Sequence, residues 1–197
     1  MSTLPLNIDM HGKTAVIIGG GRVALRKLHS LLVTGADLRL VAPEVCSDIV
    51  ALAASGSICV RIGHYAVTDL ANAFLVVAAT NEPAVNQAVA ADAGMRGILV
   101  AATDNPSAGN CIFPAVLRRG NVEIAVSTGG RCPTLAADIR DIIADVIGEE
   151  YDVVLQQLAT EREKLLTDGS PNTYNKRVLR SLAERLIAEL AERKDNA

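Results

Sequence analysis

Two rhythms of apolar and polar residues run along this chain, and the change from one to the other divides it. In the first half, short apolar runs of strand length alternate with segments whose apolar residues recur at helical spacing. The runs at 14–18, 38–42, 58–62, 74–79 and 98–102 predict five strands. Between them the spacing predicts helices over 23–33, 46–54 and 83–95, followed by Thr34-Gly35, Ser55-Gly56 and Gly97. Pro83 opens the third helix, where its missing N–H costs little. The run at 74–79 is apolar without interruption, which predicts a central strand buried on both faces. Strands separated by crossovers of this length predict an α/β fold with a parallel, doubly wound sheet.

The rhythm changes after Asp104-Asn105-Pro106. Residues 113–119 and 122–127 read as two strands joined at Gly120-Asn121, a hairpin outside the main sheet. A second glycine-rich turn, Ser127-Thr128-Gly129-Gly130, then leads into a helix over 135–147. Further helices are predicted over 151–166 and from 174 to 193, separated by a break at Asp168-Gly169-Ser170-Pro171. In the last helix Leu179, Leu182, Leu186 and Leu190 share one face, a stripe that reads as core or as an oligomer contact. The chain therefore divides into a first domain at 1–112, a segment at 113–147 and a small helical domain at 148–197.

Composition narrows the picture. Half of the 197 residues are hydrophobic but only 3% are aromatic, with no Trp, so Ala, Val, Leu and Ile must build the interior. A net charge of −3 gives no electrostatic footprint for nucleic acid or an acidic membrane surface. No apolar run is long enough to span a bilayer and no leader is readable at Met1, so a cytoplasmic protein is expected. Cys46, Cys59, Cys111 and Cys132 form no C-x-x-C pair, and His11, His29 and His64 are scattered, so no metal site is expected.

The chemistry begins at the first predicted strand. Thr14-Ala-Val-Ile-Ile runs into Gly19-Gly20-Gly21-Arg22-Val23-Ala24, and Gly19, Gly21 and Ala24 match G-x-G-x-x-G/A, the form that cradles a dinucleotide pyrophosphate. Gly19 permits the tight turn, Gly21 lets the backbone approach the phosphates, and Ala24 lets the helix pack closely on the strand. The helix N-terminus then points at the anion. A Rossmann-like NAD-binding unit is the expectation, with the ribose carboxylate missing from its simplest place at the end of the second strand; Glu44, beyond Pro43, is the nearest acid.

Several phrases in order carry a resemblance: Gly19-Gly-Gly-Arg-Val-Ala-Leu-Arg-Lys, Val77-Ala-Ala-Thr-Asn, Thr103-Asp-Asn-Pro, Phe113-Pro-Ala and Ile124-Ala-Val-Ser-Thr-Gly-Gly-Arg-Cys-Pro. Over residues 4–147 the chain resembles the siroheme synthase amino-terminal family, precorrin-2 dehydrogenases of which some are also sirohydrochlorin ferrochelatases. The resemblance implies oxidation of precorrin-2, a tetrapyrrole, to sirohydrochlorin with NAD as cofactor. It also implies a Rossmann domain, a middle segment that forms a homodimer, and a helical tail. The family's acid/base aspartate maps onto Asp104, which the predicted topology places just beyond the fifth strand, where open α/β sheets bind ligands. Gly19, Gly21, Arg22 and Val23 would hold the pyrophosphate, with Pro43 and Glu44 near the adenosine ribose and Thr80 near the nicotinamide. Ser127, Thr128 and Gly129 form a candidate anion site for substrate carboxylates, to which Arg118, Arg119 and Arg131 would add charge. Two departures stand out: Ala101-Ala102-Thr103 replaces the frequent Asn and Val before the aspartate, and Asn105 replaces a frequent second Asp. Two other readings keep the glycine turn: another small NAD-dependent dehydrogenase, and an NAD-binding redox-sensing module without turnover. The first is disfavoured because no separate catalytic domain with a His or Lys base is readable. The second would have no use for Asp104.

Overall fold

The computed structural model describes residues 3–167 and 172–195. Its chain forms two compact units, Met1–Phe113 and Pro114–Ala197. In the first unit the strands are β1 (Thr14–Ile18), β2 (Asp37–Ala42), β3 (Cys59–Ile62), β4 (Leu75–Ala78) and β5 (Leu99–Ala102). They form one fully parallel sheet in the order β3-β2-β1-β4-β5. The chain winds outward from β1 in one direction, then crosses to β4 and winds in the other. The switch point is therefore between β1 and β4, where Ile18 pairs with Ala78.

Side-chain alternation explains the two faces. Ala15, Ile17, Leu38, Leu40, Leu75 and Val77 point to one core, closed by Ala24, Leu28 and Leu31 of α1 (Arg22–Leu32) and Ile49 of α2 (Ser47–Ala54). Val16, Ile18, Val41, Val76, Ala78 and Val100 point to the other, closed by Val89, Ala90 and Ala93 of α3 (Pro83–Met95). A period of two feeding two cores requires strands apolar at nearly every position, as the sequence has them. All four residues of β4 are buried, in agreement with the expected central strand. Leu28 is wholly buried, and Leu28→Ala would cost about 2–5 kcal/mol through lost burial and the cavity left behind.

β5 is an edge strand, and the chain itself covers it. After the loop that follows β5, the backbone N–H groups of Asn110 and Cys111 both donate to the Val100 carbonyl. The Asn110 side chain completes the pairing, its Oδ1 accepting the Val100 N–H at 2.7 Å and its Nδ2 donating to the Ile98 carbonyl at 3.0 Å. An open edge is thereby closed without a sixth strand.

The second unit opens with an antiparallel hairpin, β6 (Ala115–Arg119) and β7 (Val122–Val126), turned at Gly120-Asn121 as the sequence predicts. Three helices follow: α4 (Pro133–Val146), α5 (Glu150–Thr167) and α6 (Asn172–Asp195). Asp152 of α5 accepts the Asn121 N–H at 3.0 Å, which ties the hairpin turn to the helix. Leu179, Leu182, Leu186 and Leu190 are each half-buried, so the apolar stripe of α6 is partly covered within the unit. The predicted break at Asp168-Gly169-Ser170-Pro171 lies outside the described residues. Among the described residues no helix is long and apolar enough to cross a membrane.

Candidate functional site

The glycine turn occupies the switch point, gripped from both sides. On one side, the Gly19 N–H donates to Val41 at 2.9 Å and the Cys46 N–H donates to Gly20 at 3.0 Å. On the other, the Ala79 N–H donates to Ile18 at 2.8 Å. Gly19 has φ +128, and a Cβ there would collide with the Ala79 carbonyl. Gly20 is equally constrained, since a Cβ would run into the Glu44 carbonyl. Gly21 differs: a Cβ would meet no protein atom within 4 Å. The two inner glycines are thus required by the protein's own packing, whereas the third opens onto free space.

That space suits a dinucleotide. Gly21 is the N-cap of α1, extended at φ −92 and ψ −169, and no side chain caps the helix. No acidic residue stands in the first turn. The first-turn N–H groups at Arg22, Val23 and Ala24 are therefore left without a side-chain acceptor or a competing carboxylate, the arrangement an anionic pyrophosphate needs. Ala24 is fully buried against the sheet and Arg22 is exposed. Pro43 and Glu44 are exposed just beyond β2, beside the Gly20 peptide. The cofactor's adenosine half would find them there.

Thr80 lies beyond β4, half-buried on the opposite flank of the glycine turn. Its hydroxyl donates to Asn86 Oδ1 at 2.8 Å and accepts the Glu82 N–H at 3.1 Å. Asn86, the one buried polar side chain among the described residues, also accepts the Thr80 N–H at 3.0 Å and donates Nδ2 to the Thr80 carbonyl at 3.1 Å. The Thr80 side chain is therefore committed to its own loop, and what it offers a ligand is a fixed backbone.

Asp104 is exposed, two residues beyond β5. The preceding Thr103 anchors the loop to β4, with its N–H and hydroxyl donating to the Ala78 carbonyl at 3.0 and 3.1 Å. A structural alternative for an aspartate here is to brace the turn before proline. Asn105 does that work instead, its Oδ1 accepting the Ser107 N–H at 3.2 Å. The Asp104 carboxylate accepts the adjacent Asn105 N–H through Oδ1 at 2.9 Å.

The second glycine turn belongs to the other unit. Gly129 and Gly130 both have positive φ, +64 and +77. Ser127 Oγ takes the Gly129 N–H at 3.2 Å. The Thr128 hydroxyl donates to the Cys132 carbonyl and accepts the Cys132 N–H at 2.9 and 3.1 Å. Both hydroxyls are engaged in the turn. Of the three arginines expected to add charge, Arg118 pairs with Glu123 at 2.6 Å. Arg119 donates to the Ile147 and Ala144 carbonyls near the end of α4 and pairs with Glu149. Those two support the unit's own fold, so Arg131, which is exposed, remains the candidate for a substrate contact. All four cysteines are free thiols; burial pushes Cys111 up to about 11.

Sequence reasoning passed over Gly20, Asn86 and Asn110 as site-forming residues. Gly20 is visible as the middle of three glycines, and Asn86 lies in the first turn of α3 beside Gln87, where nothing local separates the two.

A doubly wound sheet with an uncapped, glycine-led helix at its switch point defines a dinucleotide-binding protein of the Rossmann class. Comparison with known proteins agrees. A model of a putative NAD(P)-binding family matches residues 6–115. The chain is similar to a siroheme synthase of Ectopseudomonas mendocina, 42% identical over 151 residues, covering 77% of this chain and 32% of that protein. A siroheme synthase of Gluconacetobacter diazotrophicus is 35% identical over 198 residues, covering 98% of this chain and 42% of its own length. The chain thus spans about a third of the first of these relatives and well under half of the second. Among solved structures, SirC, a precorrin-2 dehydrogenase, superimposes with a TM-score of 0.76 at 26% identity, covering 96% of this chain and 100% of that one. The chain belongs to the siroheme synthase amino-terminal family of NAD(P)-binding domains.

Proposed function

We propose that the protein oxidises precorrin-2 to sirohydrochlorin with NAD+. The observation that carries the reading is the likeness to SirC over that chain's entire length, because a likeness confined to the cofactor-binding half would name only the cofactor. When bound, NAD+ would supply the hydride acceptor. The chain's own residues do the rest: the turn at Gly19–Gly21 and the first-turn N–H groups of Arg22 and Val23 hold the pyrophosphate, and Pro43 and Glu44 flank the adenosine ribose. The Thr80 backbone borders the nicotinamide. Asp104 takes the proton whose departure accompanies hydride loss, so a two-electron, one-proton balance is met without a further reactant. At the turn of Ser127, Thr128 and Gly129, whose hydroxyls and Gly129 N–H are already bonded within the turn, Arg131 would supply the charge that receives a substrate carboxylate.

The functional division that accompanies this reading is 1–112 for the cofactor, 113–147 for pairing two copies, and 148–197 as a helical domain. Pairing is supported by α4, where Leu135, Ile139 and Ile142 lie on one helical face and are 49%, 36% and 65% exposed. An apolar helix face of that kind is what an isologous contact buries. Incubating the protein with precorrin-2 and NAD+ and following reduced nicotinamide tests the reading. Binding of NAD+ without turnover would favour the redox-sensing alternative.

A further inference from the structure

We infer that two asparagines, Asn86 and Asn110, are positioning residues that divide the work of the site: Asn86 sets the cofactor wall and Asn110 sets the loop bearing Asp104. The inference rests on the reading above and adds residues that no motif assigns.

The two side chains use one device. A primary amide has an acceptor and a donor side by side, so it can pair with a stretch of backbone as a neighbouring strand would. Asn86 takes the N–H of Thr80 and gives to its carbonyl, at 3.0 and 3.1 Å. Asn110 takes the N–H of Val100 and gives to the carbonyl of Ile98, at 2.7 and 3.0 Å. Each amide thus clamps the chain at one of the two strands, β4 and β5, whose carboxyl ends carry the proposed chemistry.

What each clamp controls follows from its neighbours. The Ala79–Thr80 peptide is the surface against which Gly19 packs, close enough that a Cβ at Gly19 would lie 3.1 Å from the Thr80 nitrogen. Loosening Asn86 releases that peptide and, with it, one wall of the pyrophosphate turn. Asn110 closes the excursion that leaves β5 at Ala102 and returns at Val100. Asp104 rides on that excursion, held at its start by Thr103 on Ala78. Loosening Asn110 frees the return end while leaving the glycine turn untouched.

The test is a split between binding and turnover. Asn86→Ala should weaken NAD+ binding, read by calorimetry and by KM, by about tenfold, while kcat stays within about twofold. Asn110→Ala should lower kcat by about ten- to a hundredfold with NAD+ affinity unchanged, the penalty of a misplaced reacting group. Tyr65→Phe is the control: it removes the Tyr65–Asp92 hydrogen bond at 2.9 Å, which also anchors α3, and should lower the melting temperature alone. If an alanine variant does not fold, Asn86→Ser and Asn110→Ser carry the same comparison, since each keeps a small polar group but is too short to bridge the N–H and the carbonyl together. The inference is overturned if both asparagine variants behave like Tyr65→Phe, or if both move the same kinetic parameter. Failure of the wild type to bind NAD+ or oxidise precorrin-2 would instead strike the functional reading.

Discussion

Gly20 lies so close to the Glu44 carbonyl that no side chain fits between them, whereas Gly21, its neighbour, faces open space. The two glycines should therefore fail differently. Gly20→Ala forces the loop after β2 to move and should lower the melting temperature with or without cofactor. Gly21→Val leaves the fold intact, because its extended φ and ψ suit a β-branched residue, and should abolish NAD+ binding by filling the phosphate space. Thermal melts with and without NAD+ check both: the ligand-induced rise should persist, from a lower baseline, in the first variant and vanish in the second.

Cofactor choice follows from the end of β2. Pro43 and Glu44 stand there in place of a cation. Arg39, earlier in the strand, donates from its guanidinium to the Ala71 carbonyl, in the loop that precedes β4. NAD+ should be preferred over NADP+ by about tenfold or more in kcat/KM, the effect of one unfavourable charge contact near 1.4 kcal/mol. Equal or better use of NADP+ would contradict this and turn attention to Arg22.

Much of this was legible in the sequence, for a physical reason. Strands buried on two faces must be apolar throughout, so β1, β2 and β4 declared themselves to within a residue, and Pro83 fixed the start of α3. The site was legible where it depends on backbone shape, as at Gly19 and Gly21. It was not legible where side chains pair with distant backbone. Nothing local marks Asn110 as a partner of Val100, or Arg119 as a ligand of the carbonyls near the end of α4. The short turns at Val67–Leu70 and Pro106–Ala108 were also missed, since each depends on a side chain, Asp69 or Asn105, taking a nearby N–H.

Two copies should associate through the α4 face. Ile142→Glu places a carboxylate on the most exposed residue of that stripe and should give a monomer by light scattering at micromolar concentration, with the melting profile of the isolated chain otherwise preserved. A wild type that is strictly monomeric under those conditions would contradict the pairing.

The thiols should separate by reactivity. Cys59 and Cys132 are exposed, whereas burial pushes Cys111 up to about 11 from 9.0. The thiolate is the nucleophile, so at pH 8 Cys111 should alkylate about a hundredfold more slowly than an ordinary thiol. The linkage has a defined sign: the folded chain holds this proton more tightly, so the contribution of Cys111 to stability is full below pH 9 and is lost as pH rises towards 11. Cys111→Ser should remove that part of the alkaline destabilisation, measured by urea midpoints across this window.

The most direct test concerns Asp104. Wild type and Asp104→Ala are compared for precorrin-2 oxidation and, separately, for NAD+ affinity by calorimetry. Asp104 is exposed and Asn105 braces the turn, so the variant should fold and bind NAD+ as the wild type does. Its kcat should fall by roughly 10²–10⁴-fold, the usual contribution of a positioned acid or base. If kcat stays within a few-fold of wild type while NAD+ still binds, the proton leaves by another route and the role given to Asp104 is wrong.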